Sequence, residues 1–243
     1  MATHDNPASL PPVALVTGGS RGLGSALTGE LARRGWHVIV DGRDAAALEA
    51  TLMRLGTPGS VTAIPGDVAD HAHRLRIAEV VASHGGLDLA VNNASMLGPS
   101  PQPHLADYPL EVLEQVYAVN TIAPLALLQL LLPHLINRRG RIINISSDAA
   151  VEAYEGWGGY GSSKAALDHL TSVLAAENPQ LLVYAFDPGD MRTEMQQEAF
   201  PGEDISDRPA PESVVPALMD LISARHPSGR YRVSDLAGAS VSA

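Results

Sequence analysis

The chain has 243 residues, 45% hydrophobic and 18% charged, enough to bury a sizeable core and suited to one large α/β domain. A formal net charge of -11 argues against a nucleic-acid binder and against docking on anionic lipid, and otherwise reads as an aid to solubility. Cysteine is absent, which excludes disulfides and thiolate chemistry and is compatible with a cytoplasmic protein.

Residues 1–11 read as a short flexible tail, with neither a positive start nor an apolar stretch of signal-peptide length. A buried-strand run follows at 13–17, then helical spacing over 23–34 that Gly35 stops. The second strand is 38–40. Asp44 is placed to cap a helix over 45–55, which Gly56 ends. The third strand is 61–64, and Asp70 is placed to cap a helix running to Ser83. The fourth strand is 89–92. One long helix is expected over 110–136, with Pro109 at its start. Its most apolar part, 122–136, is short for a membrane span and carries Pro124, Gln129 and Pro133. A fifth strand at 141–146, a helix at 163–177, a sixth strand at 181–186, a helix at 212–224 and a short strand at 230–233 complete the chain.

This strand–helix alternation predicts a doubly wound parallel sheet, Rossmann-like, of about seven strands with helices on both faces. The strands are continuous apolar runs, as in sheets covered on both sides. Residues 12–243 then form one dinucleotide-binding and catalytic domain. The segment 190–211, rich in Pro, Glu, Asp and Met, is either a surface loop or a lid over substrate, since it follows the C-terminal end of a strand.

Two motifs carry chemistry. Thr17-Gly18-Gly19-Ser20-Arg21-Gly22-Leu23-Gly24 is a glycine-rich strand-to-helix turn, suited to close approach of a pyrophosphate to a helix N-terminus. Its spacing differs from the G-x-G-x-x-G of most dinucleotide folds. Tyr160-Gly161-Ser162-Ser163-Lys164 places a phenol and an ammonium four residues apart, on one face of a helix. A nearby ammonium favours phenolate and brings its titration toward neutrality. Lys164 is the single lysine in a chain with fifteen arginines.

Together these motifs resemble the short-chain dehydrogenase/reductase family, in its compact single-domain form. The likeness covers essentially the whole chain and includes Asn120, Ser147, Asp67-Val68, Asn92-Asn93-Ala94, Pro188-Gly189 and Thr193. It implies hydride transfer between NADP(H) and a ketone or secondary alcohol, in the reductive direction. Tyr160 would be the general acid or base, Lys164 would bind the nicotinamide ribose and lower the tyrosine's pKa, Ser147 would orient the substrate carbonyl, and Asn120 would hold a water leading to Lys164. Cofactor contacts would come from Thr17, Gly18, Ser20, Arg21, Gly22, Leu23, Gly24, Arg43, Asp67, Val68, Asn93, Ala94, Tyr160, Lys164, Pro188, Gly189, Met191 and Thr193. The resemblance implies a homodimer or homotetramer acting on a small-molecule substrate, with helix 110–136 as the self-contact.

Cofactor choice rests on the second strand's end. Gly42 stands where NAD-preferring relatives carry an acid, and Arg43 follows it, with Arg21 expected to approach a 2′-phosphate from the other side. The alternative is an NAD-dependent dehydrogenase using Asp41 after a one-residue register shift, which alternation of strand faces opposes. A non-catalytic nucleotide-sensing relative is the other alternative, disfavoured by the complete Asn120, Ser147, Tyr160 and Lys164 set.

The chain departs from the family at Ser95, where glycine is usual, a change expected to narrow the adenosine–ribose pocket. It also has only a partial match, Ser234-Asp235-Leu236-Ala237-Gly238, to the frequent D-G-G. His71 and His73 lack a partner cluster, so they read as surface histidines rather than a metal site. Trp157 and Tyr154 either wall the substrate pocket or simply pack. Met191, Met195 and Phe200 would offer an adaptable apolar surface to an apolar or aromatic ligand.

Overall fold

The computed structural model describes residues 10–56 and 59–236. Most of the expected tail, and Ala237 and Gly238 of the partial motif, lie outside the described residues.

The β-rich runs at Val13–Val16 (β1), His37–Gly42 (β2), Val61–Pro65 (β3), Leu89–Asn92 (β4), Arg141–Ile145 (β5), Leu182–Asp187 (β6) and Gly229–Arg232 (β7) form one parallel sheet, in the order β3-β2-β1-β4-β5-β6-β7. Helices Gly22–Arg33 (α1), Ala45–Leu55 (α2) and His71–Ser83 (α3) link the first four strands. Asp44 and Asp70 cap α2 and α3 by accepting backbone N–H bonds, and Gly56 ends α2 in the left-handed conformation. Leu110–Tyr117 (α4), Ala123–Arg138 (α5), Gly158–Glu177 (α6), Glu194–Ala199 (α7), Val215–Ser223 (α8) and Val233–Leu236 (α9) follow.

Alternate residues of β1 to β6 feed two cores. Ala14, Val16, Val38, Val40 and Phe186 pack with α1 and α8 on one face. Leu15, Ile39, Ala90, Ile142 and Val183 pack with α3 and α5 on the other. This two-sided burial is why the strands read as unbroken apolar runs.

The expected long helix is not continuous α. A π turn at Ala118–Ile122 separates α4 from α5 and contains Asn120. By length and composition alone the run Leu110–Arg138 meets the requirement for a membrane span, but Leu127, Leu128, Leu131 and Leu135 sit in the core of the sheet. Leu110, Ile122 and Ile136 remain exposed on it.

Helix α6 starts at Gly158, five residues before the expected start. The early turns bring glycines against neighbours: a Cβ on Gly161 would lie 2.6 Å from the Ala149 carbonyl oxygen. That close approach sets Tyr160 beside the end of β5. The segment 190–211 contains α7, and a short 3-10 turn at Pro211–Ser213 precedes α8, which starts at Val215 rather than at the expected 212.

His73 is fully buried rather than on the surface, whereas His71 is exposed. Its Nε2 lies 3.0 Å from Asp41 Oδ2, while Asp41 Oδ1 accepts the Gly18 N–H at 2.8 Å. Asp41 thus ties β2 to the glycine-rich turn and to α3. A short sequence window could not show this, because the partner lies 32 residues away.

Candidate functional site

Strand order reverses between β1 and β4, and ligands in such sheets bind at the carboxyl ends flanking the reversal. A cleft of about 830 Å³ lies there, running from Gly42, Arg43 and Arg54 to Tyr160 and Trp157. Of the expected residues, Gly18, Ser20, Arg21, Gly22, Leu23, Arg43, Asp67, Val68, Asn93 and Ala94 line it. So do Ser147, Tyr160, Lys164, Pro188, Gly189, Met191 and Thr193.

Thr17, Gly24 and Asn120 stand behind this wall and brace it. Thr17 Oγ1 accepts the N–H groups of Asn93 (2.9 Å) and Ala94 (3.0 Å). Asn93 Nδ2 donates back to the Thr17 and Gly18 carbonyls. A Cβ at Gly24 would stand 2.4 Å from the Gly18 carbonyl oxygen, so only glycine lets the start of α1 meet the turn this closely. The N-terminus of α1, with its unpaired N–H groups and positive dipole end, opens on the cleft there. Turn, helix end and cleft together fit a dinucleotide.

At the Arg43 end, Ser25 Oγ holds Arg54 Nη2 at 2.7 Å, a cation that sequence reasoning did not single out. Arg21 lines the same cleft. It is ion-paired with Glu194 at the start of α7, and both side chains are exposed. Both carboxylate oxygens of Asp41 are already taken, by Gly18 and His73.

At the other end stand Tyr160, Ser147, Lys164 and, behind them, Asn120. Lys164 Nζ donates to the Ile145 carbonyl at 2.7 Å and lies 5.6 Å from the Tyr160 ring centroid. Burial pushes its pKa down to about 8, partly countered by Asp168. Burial also pushes the Tyr160 phenol up to about 12; hydrogen bonding from Ser95, then Ser147, opposes this, and the charges of Asp187 and Asp148 reinforce it. Burial thus holds both groups toward their neutral forms.

Ser147 Oγ donates to Asp148 Oδ1 (3.0 Å) and accepts the Ala149 N–H (3.2 Å). Its carbonyl accepts from Arg230 Nη2 at 2.8 Å; Arg230 also bonds Asp168 and Asp187, each at 3.0 Å. Arg230 thereby joins β5, β6 and α6 beneath the site. No local sequence signal pointed to it, 83 residues from Ser147.

The Asn120 side chain braces the site from behind. Its Oδ1 accepts from Met96 N (2.8 Å) and Ser95 Oγ (3.2 Å), and its Nδ2 donates to Met96 O (2.9 Å) and Ser163 Oγ (3.0 Å). These contacts use both amide protons and both oxygen lone pairs. The side chain locks the loop after β4 to α6. Ser95 faces this catalytic end, not the adenosine–ribose pocket.

Trp157 lines the cleft, edge-on to Tyr160, with Phe200 packed behind it. Leu97, Met195 and Ala199 complete this apolar cluster, while Met191 packs against the larger core below it. Tyr154 instead reaches Asp148 Oδ2 with its hydroxyl at 3.0 Å and is half exposed.

Comparison with known proteins places these features in context. A family profile described as short chain dehydrogenase matches residues 12–204. The chain is 38% identical over 172 residues to a rhamnolipids biosynthesis 3-oxoacyl-[acyl-carrier-protein] reductase of Pseudomonas aeruginosa, a match spanning 68% of this chain and 66% of that protein. It is 32% identical to a benzil reductase ((S)-benzoin forming) of Saccharomyces cerevisiae, over 86% of this chain and 80% of that one. Among solved structures it is similar to a short chain dehydrogenase from Shigella flexneri complexed with NADP (TM-score 0.86, 28% identity, covering 93% of this chain and 98% of that one). One from Escherichia coli complexed with NADPH gives a TM-score of 0.85 at 29% identity, covering 92% and 98%.

Proposed function

The chain belongs to the short-chain dehydrogenase/reductase family, and from that premise we propose that it reduces a ketone bearing an apolar or aromatic group, using NADPH. The observation that carries this reading is the meeting, in one cleft, of the glycine-rich turn with Ser147, Tyr160 and Lys164. The aromatic wall of Trp157, backed by Phe200, supports the substrate class, as does the likeness to a benzil reductase.

The bound nicotinamide supplies the hydride, and the protein must supply the proton and the geometry. Gly18, Gly22 and the N-terminus of α1 would hold the pyrophosphate, and Lys164 the nicotinamide ribose. Ser147 turns its hydroxyl from Asp148 to the substrate oxygen and orients it. Tyr160 donates its proton to that oxygen as negative charge develops there. Trp157 and Met195 shield this end of the cleft from water.

Preference for the phosphorylated cofactor rests on Arg43, with Gly42 leaving room beside it and Arg54 at the same end. Arg21 would have to leave Glu194 first, so its share is smaller. The expected result is a higher kcat/KM with NADPH than with NADH, reduced roughly tenfold to a hundredfold by Arg43→Ala and less by Arg21→Ala. Steady-state kinetics with both cofactors checks this, and a wild-type preference for NADH refutes it.

A further inference from the structure

Arg230 lies on β7, at the edge of the sheet, yet its guanidinium reaches three elements that carry the site. Nη2 has two protons, and both are used: one goes to the Ser147 carbonyl at 2.8 Å, the other to Asp187 Oδ2 at 3.0 Å. Nε donates to Asp168 Oδ2, also at 3.0 Å. Ser147 follows β5, Asp187 closes β6, and Asp168 lies on α6 one turn beyond Lys164.

The acceptors give this fork its weight. Ser147 is the residue that orients the substrate, so fixing its carbonyl fixes where its hydroxyl starts. Asp187 passes the restraint on: its Oδ1 accepts the Gly189 N–H at 3.0 Å, and Gly189 lines the cleft. Both carboxylates are withdrawn from water, with side-chain exposures of 15% for Asp168 and 4% for Asp187. The second oxygen of Asp168 is buried and has no hydrogen-bond partner among the described residues. Arg232 stands 3.6 Å from Asp187, but it is half exposed and shared with Glu152. Asp148, the third acid near the site, bonds the Ser147 and Tyr154 hydroxyls instead. The Arg230 guanidinium is therefore the main positive charge set against two acids whose fields reach the reacting pair: Asp187 acts on Tyr160 and Asp168 on Lys164.

We propose that Arg230 is a positioning residue for the reaction: its planar fork fixes Ser147 and the Gly189 turn, and its charge cancels the acids behind the Tyr160 and Lys164 pair. The two duties separate chemically. Lysine keeps the charge but, as a point ammonium on a flexible stem, loses the fork. Glutamine keeps neither. Without the cation, the Asp168 carboxylate stands uncompensated one helical turn from Lys164 and favours its ammonium. The lysine then gives up its proton at higher pH, where an acid such as Asp168 is still ionised.

The inference rests on the reductase reading for the part Ser147 plays, but its first test needs no turnover. Lys164 is the single lysine of the chain, so protein grown on isotope-labelled lysine gives one side-chain resonance, and its pH titration is that of Lys164. In the cofactor-free chain the midpoint should lie near pH 8 for wild type and stay there in Arg230→Lys. It should rise by about one pH unit in Arg230→Gln. On the same folded samples, single-turnover oxidation of bound NADPH by benzil should slow roughly tenfold to a hundredfold in both variants. A role in strand packing alone would lower the melting temperature and leave midpoint and rate in place. An unchanged midpoint in Arg230→Gln overturns the proposal, and so does a wild-type rate in Arg230→Lys, which decides the matter if the glutamine variant does not fold. Failure of the wild type to oxidise NADPH with any ketone overturns the reductase reading instead, and the titration still decides on Arg230.

Discussion

Replacing Tyr160 by phenylalanine is expected to lower turnover roughly a thousandfold, the usual range for loss of a positioned acid or base. The substitution removes one oxygen from a ring that is otherwise packed. Trp157 stands edge-on to that ring, and Leu97 and Ala149 enclose it. None of these contacts needs the hydroxyl, so the fold and the cleft survive. The affinity for cofactor should be unchanged, because the glycine-rich turn and Lys164 are untouched. Single-turnover kinetics with a direct binding titration separates the two quantities. Turnover near wild type would remove Tyr160 from the mechanism, and equal loss of binding and turnover would make it a structural residue.

Lys164→Met is expected to abolish useful turnover and yet stabilise the cofactor-free chain at neutral pH. Lys164 is fully buried, and burial brings its pKa down from an ordinary 10.5 to about 8. At pH 7 the folded chain therefore carries an ammonium that it disfavours, at a cost of about 3 kcal/mol. The bond to the Ile145 carbonyl returns part of this, so the net gain on substitution is roughly 2 kcal/mol.

The sign in pH follows from proton counting. Between pH 8 and 10.5 the unfolded chain binds more protons at this position than the folded one, so wild-type stability rises with pH there. The advantage of Lys164→Met is full below about pH 8 and gone by about pH 10.5. The raised Tyr160 pKa acts in the opposite direction, costing stability above pH 10, but it is present in both chains and cancels in the difference. Urea unfolding without cofactor, at pH 7 and pH 10.5, measures it. A variant less stable than wild type at pH 7 contradicts the account.

Much of the fold could be read from the chain because its signals are local. Helix Ala45–Leu55 and strand Leu89–Asn92 have the bounds that capping residues and apolar runs predict. The early start of α6 was hidden because Gly158, Gly159 and Gly161 are poor helix formers. They are packing residues, pressed against Leu105, Tyr108 and Ala149, and tertiary contact overrides their poor helix propensity. The π turn at Asn120 has no period of its own in the sequence. It is stabilised by Met96 and Ser163, which are distant along the chain.

The site shows the same division. Its wall was legible from motif spacing, since most of the motifs follow the carboxyl ends of strands and the Tyr160 and Lys164 pair lies on α6. The electrostatic partners were not. Arg21 pairs with Glu194, 173 residues away, and Asp41 with His73; Arg230 reaches three separate elements. Ser95 did carry a signal, as a departure from the family pattern. What spacing could not supply was its direction, toward Asn120 rather than toward the adenosine end.

The most direct measurement is to present the wild-type chain with NADPH and a panel of ketones of increasing apolar and aromatic bulk, benzil among them. Loss of the reduced-nicotinamide absorbance is followed together with the alcohol formed. The account predicts that NADPH is consumed in step with alcohol, fastest for ketones with an aromatic or branched apolar neighbour. Tight NADPH binding with no oxidation by any carbonyl, and no reduction of NADP+ by the matching alcohols, would contradict it and leave a nucleotide-binding protein without this chemistry.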